Sequence, residues 1–223
     1  MPSIKHVIIA AAGVGSRLGK GVPKVLVEVA GRKIIEYQLK LLEDIANVRI
    51  IVGYLEDEVI KVAKSIRPDI EFVRNPWFRE TTTLQSFYLG VKDLNEPFVI
   101  MDGDIIFDEK DFHNFMDYCQ DGLDTIGVSM RITENPVYVD IERNGDSLTA
   151  RGFQTNPATG YEWANIACLN PGILAYEKTY VYQRLAEHLP LRAFTLDKLE
   201  VDTINDLEIA ESILAQRDYV SFK

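Results

Sequence analysis

Histidine and cysteine are scarce in this chain, and that scarcity removes several chemistries at once. The two cysteines, Cys119 and Cys168, lie far apart with no CxxC pair; a zinc site or a dithiol motif needs closer spacing, so both are expected to be reduced packing residues. The three histidines, His6, His113 and His188, share no spacing that would make a metal site or an acid–base pair. No Ser-His-Asp or Cys-His set accompanies them, and all three are expected to be structural. Long apolar runs are missing as well. The longest are strand-sized pieces such as residues 7–12, well short of the ~20 residues of a membrane span, and no signal-peptide pattern opens the chain. A soluble, cytoplasmic protein with no membrane partner is expected. Positive charge is in deficit too: 24 Lys and Arg stand against 34 Asp and Glu, a formal net charge of −10. That balance repels a polyanion and argues against nucleic-acid binding. It is compatible with a small phosphorylated ligand, which local N–H groups, one or two cations and a metal ion can hold.

What is present is an alternation of strand and helix. The 223 residues, 47% hydrophobic and 26% charged, suit one well-buried domain over 1–223. Residues 7–11 form an apolar run bounded by Gly13, as in a strand buried on both faces. A helical stripe comes next over 34–45, then a strand at 48–52, a helix at 55–66 ending before Pro68, and a strand at 70–73. Leu84, Phe87 and Val91 repeat at helical spacing, with Thr81, Thr82 and Thr83 offering an N-cap. Residues 98–101 make another apolar strand, which ends at Asp102-Gly103-Asp104, and a helix is expected over 110–120. This alternation predicts an α/β fold: a three-layer α/β/α, Rossmann-like arrangement with a mostly parallel mixed sheet and ligands beyond the carboxyl ends of the strands. Residues 133–175 read differently. Val137, Val139 and Ile141 alternate with polar residues, and Asn144-Gly145-Asp146 is a hairpin turn signal before a further strand at 162–169. The stretch is expected to be a small antiparallel insert walling one side of the cleft. A helix at 178–189, a strand ending at Val201-Asp202, and a last helix capped by Thr203 with Asp206 three residues on complete the chain.

The glycine cluster, AAAGVGSRLGKGVPKVL over residues 10–26, fits neither familiar phosphate loop. The dinucleotide fingerprint would need glycine where Leu18 stands. A Walker A loop ending in Gly19-Lys20 would need glycine at Val14 and a hydroxyl residue at Gly21. What remains is AAGxGxR followed after a short gap by Pro-Lys. That pattern resembles the nucleotidyltransferases that join a nucleoside triphosphate to a phosphorylated sugar or alcohol and release pyrophosphate. The resemblance implies that Ala11, Ala12, Gly13, Gly15 and Ser16 hold base and phosphates, that Arg17 contacts the β- and γ-phosphates, and that Lys24 lies near the α-phosphorus. The chemistry of the residues agrees: Gly13 and Gly15 leave N–H groups open to phosphate oxygens, Arg17 supplies a planar fork, and Pro23 sets the chain direction before the point charge of Lys24.

Transfer between two phosphates brings like charges together, and magnesium held by one or two carboxylates plus substrate phosphates relieves this. Asp104 and Asp202 resemble the family's two metal-binding aspartates, with Asp102 in support, so Mg2+ is the expected cofactor. The short gap Leu18-Gly19-Lys20-Gly21-Val22 is similar to cytidylyltransferases. Gly53-Tyr54-Leu55 and Ser86-Phe87-Tyr88-Leu89 look like the bacterial CTP:phosphocholine branch, which implies CTP as donor. In that branch the start of the helix after the threonines helps read the base, making Thr82, Thr83, Gln85 and Ser86 candidates, although the branch's usual asparagines are absent here. For the acceptor, Tyr138, Tyr161 and Trp163 with Asp140 and Glu162 could form an aromatic and acidic cage, and Arg151 could grip a phosphate. Strand aromatics more often serve ordinary packing. Rival readings are a sugar-1-phosphate uridylyl- or thymidylyltransferase and a nucleotide-binding module without catalysis.

Overall fold

A computed structural model describes residues 4–15, 18–19, 21–131, 133–154 and 160–216. Besides a short antiparallel pair, β2 (Glu28–Val29) with β3 (Arg32–Lys33), the chain builds a nine-stranded sheet whose strands follow one another as Glu71–Arg74, Asn47–Val52, His6–Ala11, Phe98–Asp102, Glu162–Leu169, Thr125–Ser129, Leu191–Thr195, Ser147–Gln154 and Tyr138–Asn144. The first four strands of this sheet run parallel: β5 (Glu71–Arg74), β4 (Asn47–Val52), β1 (His6–Ala11) and β6 (Phe98–Asp102). β1 is apolar on both sides because both are covered. Val7 and Ile9 point to one core with α1 (Ile34–Leu41), α2 (Glu56–Ile66) and α4 (Glu109–Tyr118); Ile8 points to the other, with α3 (Thr83–Val91) and α5 (Val181–Ala186). A third apolar cluster joins the last helix, α6 (Ile204–Gln216), to the start of α1 and to the short pair β7 (Ile105–Phe107) and β13 (Lys198–Glu200). The expected three-layer, mostly parallel mixed sheet is therefore the observed one. Among the described residues, no helix is long and apolar enough to cross a membrane.

The region 133–175 is antiparallel, but it is more than a wall. β9 (Tyr138–Asn144) and β10 (Ser147–Gln154) form the hairpin at the far edge of the sheet, whereas β11 (Glu162–Leu169) returns to the centre, antiparallel to both β6 and β8 (Thr125–Ser129). β8 and β12 (Leu191–Thr195) are further strands beyond the sequence expectation. Gly127 dilutes the strand signal in β8, yet packing requires it: a Cβ there would stand 2.4 Å from Ile166 Cγ2 on β11. The helices expected over 34–45 and 178–189 are shorter, Ile34–Leu41 and Val181–Ala186.

Two contacts at the carboxyl ends of β1 and β6 fix the geometry of the cleft. Gly103 donates its N–H to the Ala10 carbonyl at 3.0 Å, and a Cβ at Gly103 would lie 2.5 Å from that oxygen. Gln38 of α1, fully buried, donates its amide to the carbonyls of Asp102 (2.8 Å) and Ile105 (2.9 Å), pinning the turn between β6 and β7 from below. Gly103→Ala should accordingly destabilise the fold by roughly 1–3 kcal/mol, the range for overpacking a tight site. At about 2–4 °C per kcal/mol for a chain of this size, a melting curve resolves that easily; an unchanged Tm would mean the turn relaxes freely.

Candidate active site

The turn between β6 and β7 forms one side of a cleft whose floor is Ala10–Gly13, at the carboxyl end of β1, and whose far side is the start of α3. Lys24 enters it from a 3-10 turn (Lys24–Leu26) anchored by buried Val25 and Leu26, directly after extended Pro23. Its stem runs so close to Gly15 that a Cβ there would stand 2.7 Å from Lys24 Cγ, and Gly15 also adopts φ +64°. Glycine is required on both counts.

The Lys24 ammonium donates to Asp104 Oδ2 at 2.7 Å and, by a short contact, to Asp202 Oδ1. Burial alone would lower the lysine's pKa, but Asp104 and Asp202 outweigh it and hold the ammonium well above its ordinary value. The two acids, remote in sequence, meet because Val201 donates its N–H to the Asp104 carbonyl at 2.9 Å, tying the end of β13 to the β6–β7 turn. Asp202 is then fixed by the cap of α6: the N–H groups of Asp202 and Thr203 both donate to Asp206 Oδ2, and Asp206 N–H donates back to Thr203 Oγ1.

Asp102, at the end of β6, also lines the cleft. Burial, with Asp104 and Glu200 nearby, pushes its carboxyl well above the usual carboxylate range. The folded state therefore keeps a proton that the unfolded chain loses above about pH 4, and stability falls as pH rises from there to the raised value. Asp102→Asn should raise Tm near neutral pH and flatten its decline with pH. A thermal scan across pH 5–8 checks this, and an unchanged slope would show the acid to be ionised in the fold.

At the other end of the cleft stand Thr81, Thr82, Thr83 and Ser86. Thr82 caps α3: Gln85 N–H donates to its hydroxyl at 3.5 Å while Gln85 Oε1 accepts from Thr82 N–H at 3.1 Å. Gln85 is buried and its carbonyl is committed to the cap. Ser86 and Thr81 accept hydrogen bonds from the amide of Asn75, which is fully buried and also takes the Trp77 N–H. Asn75 is an organising residue that no motif in the sequence marks. Ser16 and Arg17 lie outside the described residues.

The acceptor-side candidates do not assemble into a cage. Period-two alternation along β11 sends Glu162 and Trp163 to opposite faces. Trp163 is buried in the core against Phe153, and Glu162 is buried against Lys198, at 2.5 Å. Arg151 sits at a bulge, exposed and paired with Glu142 at 2.6 Å. Asp140 accepts from Gln154, Tyr161 from Arg143, and Tyr138 is half-buried at the start of β9. In place of the cage is a buried ion cluster that sequence patterning missed: Lys198, 1% exposed, bridges Glu162 and Glu200, the latter at 2.8 Å. Glu162 also accepts from the Thr133 N–H and hydroxyl. A lysine in a short strand reads as surface, and its burial shows only when β13 closes over β7. Lys198→Met would strand the buried Glu162 carboxylate and leave the partly exposed Glu200 beside it unpaired, the loss of one partner of a buried pair costing roughly 3–5 kcal/mol. Chemical denaturation should show that loss; a variant as stable as the parent would mean Glu162 and Glu200 protonate cheaply.

The donor set at Lys24 suits a divalent ion. Two carboxylate oxygens already converge on one cationic point. Among the described residues no group of three or more Asp, Glu, His or Cys is placed to hold a metal, so phosphate oxygens and water would complete the shell, as magnesium prefers.

Known proteins resemble this chain in sequence and in fold. The chain is 34% identical over 98 residues to the choline-phosphate cytidylyltransferase of Streptococcus pneumoniae, a match spanning 42% of each. It is 28% identical to the bifunctional protein GlmU of Methanocaldococcus jannaschii across 77% of this chain and 40% of that one. The matches thus span less than half the length of these two relatives. The solved structure of the CTP:phosphocholine cytidylyltransferase from Streptococcus pneumoniae superposes with a TM-score of 0.74 at 22% identity, over 95% of this chain and 100% of that one, and shares the fold. Residues 7–143, which contain the glycine loop, Lys24 and Asp104, match the MobA-like NTP transferase domain, and the chain belongs to that family of nucleotidyltransferases.

Proposed function

We propose that this protein is a cytidylyltransferase that moves CMP from CTP to a small phosphorylated or phosphonate alcohol, phosphocholine being one candidate, with release of pyrophosphate. The observation that carries the reading is the meeting of Lys24, Asp104 and Asp202 beside the glycine loop. The loop backbone at Ala11, Ala12, Gly13 and Gly15 offers N–H groups for the triphosphate, and Lys24 adds a positive charge fixed in direction by its two acids. Asp104 and Asp202 would hold Mg2+, which when bound supplies neutralisation between two groups of like charge. Thr82, Thr83 and Ser86 border the nucleoside end, and Arg17 would extend the cationic wall along the β- and γ-phosphates. The acceptor phosphate is ionised at neutral pH, so no general base is required. Its oxygen attacks the α-phosphorus in line, a new O–P bond forms, and the α–β bridging bond breaks as pyrophosphate leaves.

The similarity to the pneumococcal choline-phosphate enzyme supports the cytidylyl reading over a uridylyl or thymidylyl one. The test is pyrophosphate release with CTP, UTP and dTTP in turn, against phosphorylated alcohols, sugar-1-phosphates and phosphonates. CTP should give the highest kcat/KM with one of the alcohol or phosphonate acceptors. A preference for UTP or dTTP with a sugar-1-phosphate would overturn the assignment, and CTP binding without turnover across the panel would indicate a silent nucleotide-binding module.

A further inference from the structure

The cleft is chemically divided. One end carries the ion pair of Lys24 and Asp104, with Asp102 beside them; the other is lined by the hydroxyls of Thr81 to Thr83 and Ser86 and by one aromatic side chain, Phe78. Phe78 belongs to no sequence motif; its half-buried ring packs against the core on the α3 side of the sheet and also lines the cleft.

The surroundings hold that ring in place. Gly53, after β4, lies so close that a Cβ would stand 2.8 Å from Phe78 Cβ and 2.9 Å from Cγ. The Tyr54 ring is 6.2 Å away, and Tyr54 is itself tied to the loop through its N–H to the Ala12 carbonyl and its hydroxyl to the Gly21 carbonyl. The Arg79 guanidinium stands 5.2 Å from the Phe78 ring centroid. The turn carrying Phe78 is fastened at both ends, by Asn75 accepting from Trp77 N–H and by Thr81 donating its hydroxyl to the Trp77 carbonyl. A ring positioned this firmly, at the end of the cleft away from the phosphate-directed charges, is a preorganised contact surface.

We propose that Phe78, layered with Arg79, is the wall against which the nucleobase of the donor packs, and that Gly53 is glycine to let the ring take that position. The inference rests on the donor-nucleotide reading of the cleft. An aromatic contact is indifferent to base identity, because every base has a π-face. Phe78 thus contributes affinity for the nucleoside, and the hydroxyl and backbone groups opposite it are left to choose the base.

The test compares Phe78→Ala and Phe78→Tyr with the parent by calorimetric titration, using CTP, UTP, ATP and inorganic triphosphate, each with Mg2+, after circular dichroism has shown the variants folded. Phe78→Ala should weaken whichever nucleoside triphosphates bind by roughly 5- to 100-fold, the loss typical of removing a base–aromatic contact. Inorganic triphosphate should be unaffected and Phe78→Tyr close to the parent. Gly53→Ala should weaken nucleotides on its own but add nothing in a Phe78→Gly background, where both the ring and the Cβ that it would meet are gone. Equal weakening of inorganic triphosphate, unchanged nucleotide affinity, or an additive loss in the double variant would overturn the proposal. If UTP or ATP binds better than CTP yet still loses affinity with Phe78→Ala, the CTP assignment falls and the wall stands. If the parent binds no nucleoside triphosphate more tightly than inorganic triphosphate, both fall.

Discussion

Lys24→Ala should lower kcat by roughly 10²- to 10³-fold or more, the usual consequence of removing one preorganised charge from a transition state, while leaving a folded protein. The fold should survive because Lys24 is partly exposed at the cleft and its neighbours Val25 and Leu26, not its ammonium, anchor the turn. Its removal leaves Asp104 and Asp202 facing each other, a repulsion that a divalent ion relieves. The variant's Tm should therefore rise more on adding Mg2+ than the parent's does. Pyrophosphate release and melting curves, each with and without Mg2+, read both effects. Near-normal turnover would remove Lys24 from the chemistry. Lys24→Arg should rescue little, because a planar fork does not fit the point where Gly15 and the two acids close around a slim chain.

Asp202→Asn should be comparably severe, lowering turnover by roughly 10²- to 10³-fold, since it halves the carboxylate set available for a metal and weakens the hold on Lys24. Raising the Mg2+ concentration should recover part of the loss, as expected of a weakened metal site rather than a distorted fold. The cap of α6 is expected to persist, because it runs through backbone N–H groups and Asp206 rather than the Asp202 side chain. Asp104→Asn should behave alike. The double variant should be little worse than either single one, because the two acids act as a unit. A fully additive double variant would place them in separate roles.

Much of this site was legible from the sequence, and for definite reasons. The glycines flanking Val14 and the Pro23-Lys24 pair state a local backbone geometry that only a few loops need. Asp104 and Asp202 each close a strand, and the ends of strands in an open α/β sheet are where a cleft forms. The box between Thr203 and Asp206 is a local hydrogen-bond exchange, so it too was visible. The acceptor side was not, because it depends on how distant strands are ordered. Glu162 reads as a cage residue until β11 is placed at the centre of the sheet, where the side that Glu162 faces is closed by Lys198. Gln38 and Asn75 were silent for a related reason: each satisfies polar groups tens of residues away or across a turn, and no periodicity records such a partner. Phe78 carried no motif, and its position depends on a missing side chain at Gly53.

If Asp104 and Asp202 form one cation site that a bound triphosphate completes, Mn2+ titrated into the protein with CTP and followed by electron paramagnetic resonance should reveal it. About one tightly held Mn2+ per chain is expected when CTP is present, by the stoichiometry of two carboxylates plus phosphate oxygens. Binding should be much weaker without CTP, and the tight site should vanish in the Asp104→Asn/Asp202→Asn variant. Undiminished Mn2+ binding in that variant would contradict the shared site.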